Sequence, residues 1–215
     1  DSELGSQSRK IGLIERYCFL SGKNDGFLMG DISFDGELKA GGKHFQLYTL
    51  GDAGDLPPLC GSRINYDRYS TDRTKFSVGF ASTLGQLLSC DHIYNQYIFI
   101  EDAQKIIQKL ESKRLRLQSL SAYSRENMIA RDSTNDFLNE AISQQRLPVK
   151  AHFNVLVWTE DREQLKDLKN MVSSGLAQMD AVAKQETVGA PQIFWAGIPG
   201  IAADFPMNDS FDTFA

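Results

Sequence analysis

Apolar positions in this chain recur with two periods, one near two residues and one near 3.6, and the change between them falls after Ile100. Ile11, Ile14, Cys18 and Phe19 stand at roughly helical spacing with Gly22 as a stop, which predicts a short helix over Ile11 to Leu20. From Asp31 to Leu38 the chain alternates. Ile32, Phe34 and Leu38 share one side and Asp31, Ser33, Asp35 and Glu37 the other, so a half-buried strand is expected. Gly41-Gly42 signals a turn and His44 to Leu50 a second strand, making the pair a hairpin. Gly51 to Pro58, rich in Gly, Asp and Pro, reads as a loop. Phe76, Val78 and Phe80 alternate with Lys75, Ser77 and Gly79 for a third strand, and Ile93 to Ile100 supplies a fourth.

Beyond Ile100 helical spacing takes over. Asp102 can cap a long helix whose apolar residues Ala103, Ile106, Ile107, Leu110 and Leu117 share a face. Ser133 with Asp136 resembles a capping box that opens a second helix running through Ile142, and Pro148 ends the helical region. Ala151 to Trp158 is almost continuously apolar, the pattern of a strand in the middle of a sheet. Leu165, Leu168, Val172, Leu176 and Met179 return to helical spacing after the candidate cap Asp161, and Pro191 to Ala196 is expected as a closing strand. The predicted fold class is α+β, a mixed or antiparallel sheet with helices packed on it and ferredoxin-like character in the C-terminal half. Two lobes are expected: residues 1–60 as an N-terminal helix and β-hairpin, and residues 73–215 as an α+β lobe, together one compact unit.

The 41% apolar and 24% charged fractions are ordinary for a globular protein. No apolar run approaches the roughly 18 residues needed to cross a bilayer, so a water-soluble segment is expected. Its first residue is not Met, and both ends read as cuts from a larger protein. Three widely spaced cysteines, Cys18, Cys60 and Cys90, do not make a disulfide framework and favour a reducing cytoplasm. A net charge of −5 argues against general nucleic-acid binding, which relies on clustered Lys and Arg to neutralise phosphates.

Few residues carry recognisable chemistry. The phosphate-loop pattern GxxxxGK[ST] does not occur; its nearest fragment, Ser21-Gly22-Lys23-Asn24, lacks the upstream glycine and the hydroxyl after Lys. The glycines at 22, 26 and 30 read as loop punctuation. Cys90 and His92 are two of the four ligands a zinc site requires, without a second pair at ligand spacing, and the ordinary reading is a buried thiol beside a strand-end imidazole. Cys90 with His152 or His44 would make a nucleophilic pair only if folding joined them. Lys105, Lys109 and Lys113 form a stripe along one helix that also carries Arg114 and Arg116, interrupted by Glu111. Such a stripe suits acidic lipid or a partner, and more commonly is a solvated face. Trp158 and Trp195 read as core residues at strand ends, while Asn95, Gln96 and Asn154 on apolar strands would need partners if buried. No catalytic, cofactor-binding or metal-ligating residue is assigned.

Several longer runs carry a resemblance. Leu88-Ser89-Cys90-Asp91-His92-Ile93-Tyr94-Asn95-Gln96-Tyr97-Ile98-Phe99-Ile100, Ser119-Leu120-Ser121-Ala122-Tyr123-Ser124, Ala151-His152-Phe153-Asn154-Val155, and Phe194-Trp195-Ala196-Gly197-Ile198-Pro199-Gly200 with Asp204-Phe205-Pro206 resemble segments of the TraG family of conjugative-transposon transfer ATPases, of the type IV secretion kind. Ile201 departs from the wider set, where Asn often follows the Pro-Gly. The resemblance implies a region N-terminal to a RecA-like motor that holds the phosphate loop, in a protein that energises a mating channel at the inner membrane. None of the motor's catalytic residues falls on this sequence, so ATP and Mg are expected only for that motor. The implied role is a non-catalytic docking or assembly domain whose partners are conjugation-channel proteins, its own motor and possible further copies of itself. Its implied place is the bacterial cytoplasm, peripheral at the inner membrane, with indirect membrane contact and no nucleic acid bound. A structural oligomerisation module or a small Cys/His-dependent hydrolase are the alternatives.

Overall fold

The computed structural model describes residues 32–51, 53–55, 64–65, 77–78 and 82–214. The helix expected over Ile11 to Leu20, the residues Cys18, Cys60, Phe76 and Phe80, and the fragment Ser21-Gly22-Lys23-Asn24 lie outside them. The strands are β1 (Ile32–Ser33), β2 (Leu38–Ala40), β3 (Lys43–Leu50), β4 (Ile64–Asn65), β5 (Ser77–Val78), β6 (His92–Phe99), β7 (Pro148–Thr159), β8 (Lys184–Glu186) and β9 (Phe211–Phe214). The α-helices are α1 (Ser82–Leu87), α2 (Ala103–Leu120), α3 (Arg125–Ser143), α4 (Leu165–Ala177) and α5 (Ala190–Ala196). The fold is α+β, built on an antiparallel sheet with helices packed on it. Two compact units result, one holding the described residues up to Asn95 with Phe153–Asn208, the other Gln96–His152 with the segment from Asp209.

In the first unit the strands lie in the order β1-β2-β3-β7-β6, with β8 also pairing β3. The alternation from Asp31 to Leu38 does not make one strand. Gly36 at φ +69° lets the chain reverse, so that Ile32 pairs with Ala40 and Ser33 with Lys39. The expected Gly41-Gly42 turn is present and joins β2 to β3 with Leu38 opposite Phe45. Central β7 is buried along most of its length, which is why its sequence reads as an apolar run rather than an alternation. It pairs antiparallel with β3, Leu47 opposite Leu156, and Trp158 N–H donates to the Asp91 carbonyl (3.4 Å) at the start of β6.

Further elements of this unit differ from expectation. Pro191 to Ala196 is not a closing strand but lies in α5: Ala190, Ile193, Phe194 and Ala196 are buried at helical spacing, and Pro191 sits in the first turn, where no N–H is required. Trp195 is thus a half-exposed helical residue, whereas Phe194 meets Phe45 edge to face with ring centroids 6.0 Å apart and docks α5 on the sheet. Helix α1 has no counterpart among the expected elements. It packs on α4 at Gly175, where an added Cβ would lie 3.6 Å from the Leu84 and Leu88 side chains. The stretch read as a loop after Gly51 includes a 3-10 turn at Ala53–Asp55, and β5 pairs with β4, which the sequence pattern does not signal.

The second unit is an α-helical hairpin with short strand segments. Asp102 caps α2 as expected, its carboxylate accepting from Gln104 N–H at 3.0 Å. Helix α3 begins far earlier than the Ser133 capping box implies. Ser124 is the cap, accepting from Glu126 N–H at 3.2 Å, and Ser133 lies inside the helix. Pro148 does not end the helix, which stops at Ser143, but opens β7. Ile106, Leu110 and Leu138 form the core between the helices, with Ile107 and Phe137 against it. Phe137 stacks on Phe214 of β9 (4.1 Å), and Arg146 lies over the same ring at 4.7 Å. Among the described residues no helix is long and apolar enough to cross a membrane.

Candidate functional site

The chemistry-bearing residues of the second unit converge along α2. Ile106, Leu110 and Leu117 bury one stripe of that helix, and the residues one position before or three after the first two stand on its solvent edge. Lys105, Lys109 and Lys113, each one turn apart, occupy that edge with Arg116. Lys150 reaches the same place from β7. It stands directly opposite Asp212 in the β7-β9 ladder, and its ammonium lies 3.4 Å from that carboxylate. The result is a groove of about 610 Å³ lined by these five cations, with Ile106 and Leu110 in its wall and Glu101 and Asp212 as its acidic members.

Five cations against two carboxylates leave the groove electropositive in a chain of net charge −5. Glu111, which interrupts the basic stretch in sequence, does not neutralise the stripe: it pairs with Arg114 Nε at 2.9 Å. The two Lys-Lys spacings of four residues are repulsive by about 0.2–0.5 kcal/mol each, a cost that an acidic occupant would turn into attraction. Ile106 and Leu110 border the groove from the helix-helix core in which both are buried. The arrangement can hold an anionic segment.

His92 Nδ1 is bound to the Cys90 backbone carbonyl at 2.8 Å, so this contact engages the main chain and not the thiol. Burial, aided by the charge of Asp91 and opposed by a backbone hydrogen bond, pushes the Cys90 thiol above its ordinary pKa and away from the nucleophilic thiolate. His44 is engaged by Glu37 at 2.8 Å. His152 is fully buried, its ring edge-on to Tyr97 with centroids 6.0 Å apart. Among the described residues, no group of three or more His, Cys, Asp or Glu is placed to hold a metal ion.

A second cavity, about 340 Å³ in the first unit, is bordered by Glu37, Phe45, Arg162 and Glu186 among others. Glu37 is its electrostatic hub, with His44 at 2.8 Å, Lys39 at 3.3 Å and Arg162 at 3.4 Å. Burial alone would raise this carboxyl, but hydrogen bonds from His44 and Lys39 and their charges outweigh it and hold it below the ordinary 4.5. Asn95 and Asn154 satisfy each other only in part. Asn95 Nδ2 donates to Asn154 Oδ1 at 3.0 Å, while the fully buried Asn154 Nδ2 has no partner among the described residues; Gln96 is exposed.

Sequence reasoning found the lysines of the groove but missed Lys150 and Asp212. The available signal was one lysine interrupting the apolar run from Val149 to Val157. None of the curated proteins matches this chain. Residues 80–204, more than half of its 215, do match a family described as CagE, TrbE, VirB family, component of type IV transporter system, and the chain belongs to that family.

Proposed function

We propose that this chain is a non-catalytic docking module of a type IV transport ATPase, and that the α2-β7 groove receives an acidic segment of another component of the same transport system. The observation that carries the reading is the convergence of Lys105, Lys109, Lys113, Arg116 and Lys150 on one groove. Exposure elsewhere supports it: nine of the thirteen exposed large apolar side chains among the described residues fall in the second unit. A protein partner suits the groove better than nucleic acid, because Glu101 and Asp212 line it and the whole chain is acidic. The resemblance to TraG proteins narrows the system to conjugative transfer. ATP and Mg belong to the motor of that protein, and the place of this module is the cytoplasmic side of the inner membrane.

The test combines Lys105→Glu, Lys109→Glu and Lys113→Glu in the full-length protein. Conjugative transfer and co-purification of the other transport components are measured beside the thermal midpoint. The reading expects both to fall while the fold is kept, and the 215-residue chain to turn over no Mg-ATP. Full transfer with undiminished co-purification refutes the groove. ATP turnover by the isolated chain refutes the non-catalytic assignment.

A further inference from the structure

The end of the α2-α3 hairpin has a construction that the groove does not explain. The turn Ser121 to Ser124 and its flanks carry five exposed large apolar side chains. Tyr123 is 85% exposed, Leu115 58% and Ile129 55%, and Leu120 and Met128 are exposed as well. At a rise of about 1.5 Å per residue, all five lie within about 9 Å of the turn along the helix axes. They are not confined to one face. Leu115 is two residues from the buried Leu117 and therefore points about 160° away from it, whereas Leu120 lies only about 60° from it. Between Glu111 and Ser133, Leu117 is the one buried residue, so this end of the hairpin has almost no core of its own.

Charge is segregated to the same place. From Ser112 to Arg131 there are five cations, Lys113, Arg114, Arg116, Arg125 and Arg131, and one carboxylate, Glu126. This is a net +4, or +2 once the flanking Glu111 and Asp132 are counted, within a chain of −5. Arg114 and Arg131 are held by Glu111 and Asp132, while Lys113, Arg116 and Arg125 are exposed. The turn itself is internally satisfied: Ser124 caps α3, Tyr123 N–H donates to the Leu120 carbonyl (3.0 Å), and Ser121 Oγ donates to the Gln118 carbonyl (2.8 Å). Its backbone therefore needs no partner, and the part left unmatched is an apolar tip with a cationic collar.

We propose that this hairpin end inserts into the interface of an anionic lipid bilayer, Leu120, Tyr123 and Met128 reaching the acyl boundary while Lys113, Arg116 and Arg125 pair with headgroup phosphates. A tip that is apolar on several sides and convex suits a deformable medium that closes around it better than a partner that offers one face. The depth of the apolar zone matches the roughly 5–10 Å to which interfacial segments sink. A basic collar adds attraction to anionic lipid that salt weakens. The family resemblance implies membrane contact only as indirect; this is a direct one, and although it shares Lys113 and Arg116 with the groove, its apolar tip and Arg125 lie outside it.

The test mixes the 215-residue chain with vesicles of phosphatidylethanolamine and phosphatidylglycerol, and separately with phosphatidylcholine alone, in about 0.1 M salt, where the screening length is about 10 Å. Binding to the anionic vesicles and much weaker binding to the neutral ones are expected. Combined Leu120→Ser, Tyr123→Ser and Met128→Ser should weaken anionic-vesicle binding at least tenfold, and Arg125→Glu should weaken it severalfold, with an unchanged thermal midpoint showing that the fold is kept. None of these four residues lines the groove, so loss here and loss of partner docking are separable. Independently, Tyr123→Trp should give blue-shifted emission quenched by brominated lipid. No binding to anionic vesicles, equal binding of the serine variant, or unquenched Trp emission overturns the proposal. If those variants instead lose a transport component without any vesicle binding, the tip is a protein-docking surface and the lipid reading is wrong.

Discussion

Lys109→Glu separates a working groove from a merely solvated helix face, because the two readings predict different combinations of stability and binding. Lys109 stands one turn from both Lys105 and Lys113, and Glu111, the carboxylate within their span, is taken by Arg114. Reversal replaces two like-charge pairs with two opposite-charge pairs. Each such pair is worth about 0.2–0.5 kcal/mol, and the pair made with Lys105, in which the cation precedes the carboxylate, has the weaker orientation, so the free protein should gain about 1 kcal/mol. For a chain of this size that is about 2–4 °C in thermal midpoint. Binding of an acidic partner should move the other way. It loses one attraction and gains one repulsion, each of the order of an exposed ion pair, for about 1–2 kcal/mol or roughly a 5–30-fold weaker Kd. Thermal unfolding and titration of the variant with the partner component read the two effects, and Lys109→Gln should give about half of each. Both should fade near 1 M salt, where the screening length is about 3 Å. A stabilised variant with unaltered partner affinity would mean the stripe is only solvated. A destabilised one would mean the helix-face electrostatics are misread.

Three further outcomes follow from the first unit. Glu37 has a folded pKa below its ordinary 4.5, so its contribution is present above that pH and is lost as pH falls through the folded value; Glu37→Gln should therefore flatten the acid limb of a stability-pH profile, and an unchanged limb would remove the hub's role. Asn95→Ala should cost about 1–3 kcal/mol by stranding Asn154 in the sheet, whereas Asn95→Val with Asn154→Val together should be near neutral in urea unfolding. If the single and double variants unfold alike, the pair is not the source of the cost. Gly175→Ala should stabilise by about 0.5–1 kcal/mol, because the added Cβ finds Leu84 and Leu88 at ordinary contact distance; a loss of stability would show that the α1-α4 approach is tighter than the 3.6 Å spacing implies.

Local rules carried the sequence reading wherever one element's own chemistry decides its structure. Asp102 is legible as a cap because its side chain serves an N–H two residues away. The apolar run of β7 is legible because a strand flanked on both sides needs no polar face. The same rules failed where two patterns coincided. Ile193, Phe194 and Trp195 are good strand formers, yet Pro191 and the burial of Ala190, Ile193 and Phe194 fit only a helix. Alternation from Ile32 to Leu38 survived in the sequence although Gly36 reverses the chain inside it, since residues on two paired strands can keep the parity of one. The groove lies between these cases. Its lysines are a property of one helix and could be read from spacing alone. Whether they form a solvated face or a walled cleft is set by Lys150, which the β7-β9 ladder brings to α2 and holds opposite Asp212, more than sixty residues further along. A stripe becomes a binding surface only through such non-local pairing, and for that reason Lys150→Glu, more than any change on the helix itself, should distinguish the walled cleft from the bare face: in the cleft it sets two carboxylates against each other across the ladder and weakens partner binding, whereas on a bare face α2 would bind as before.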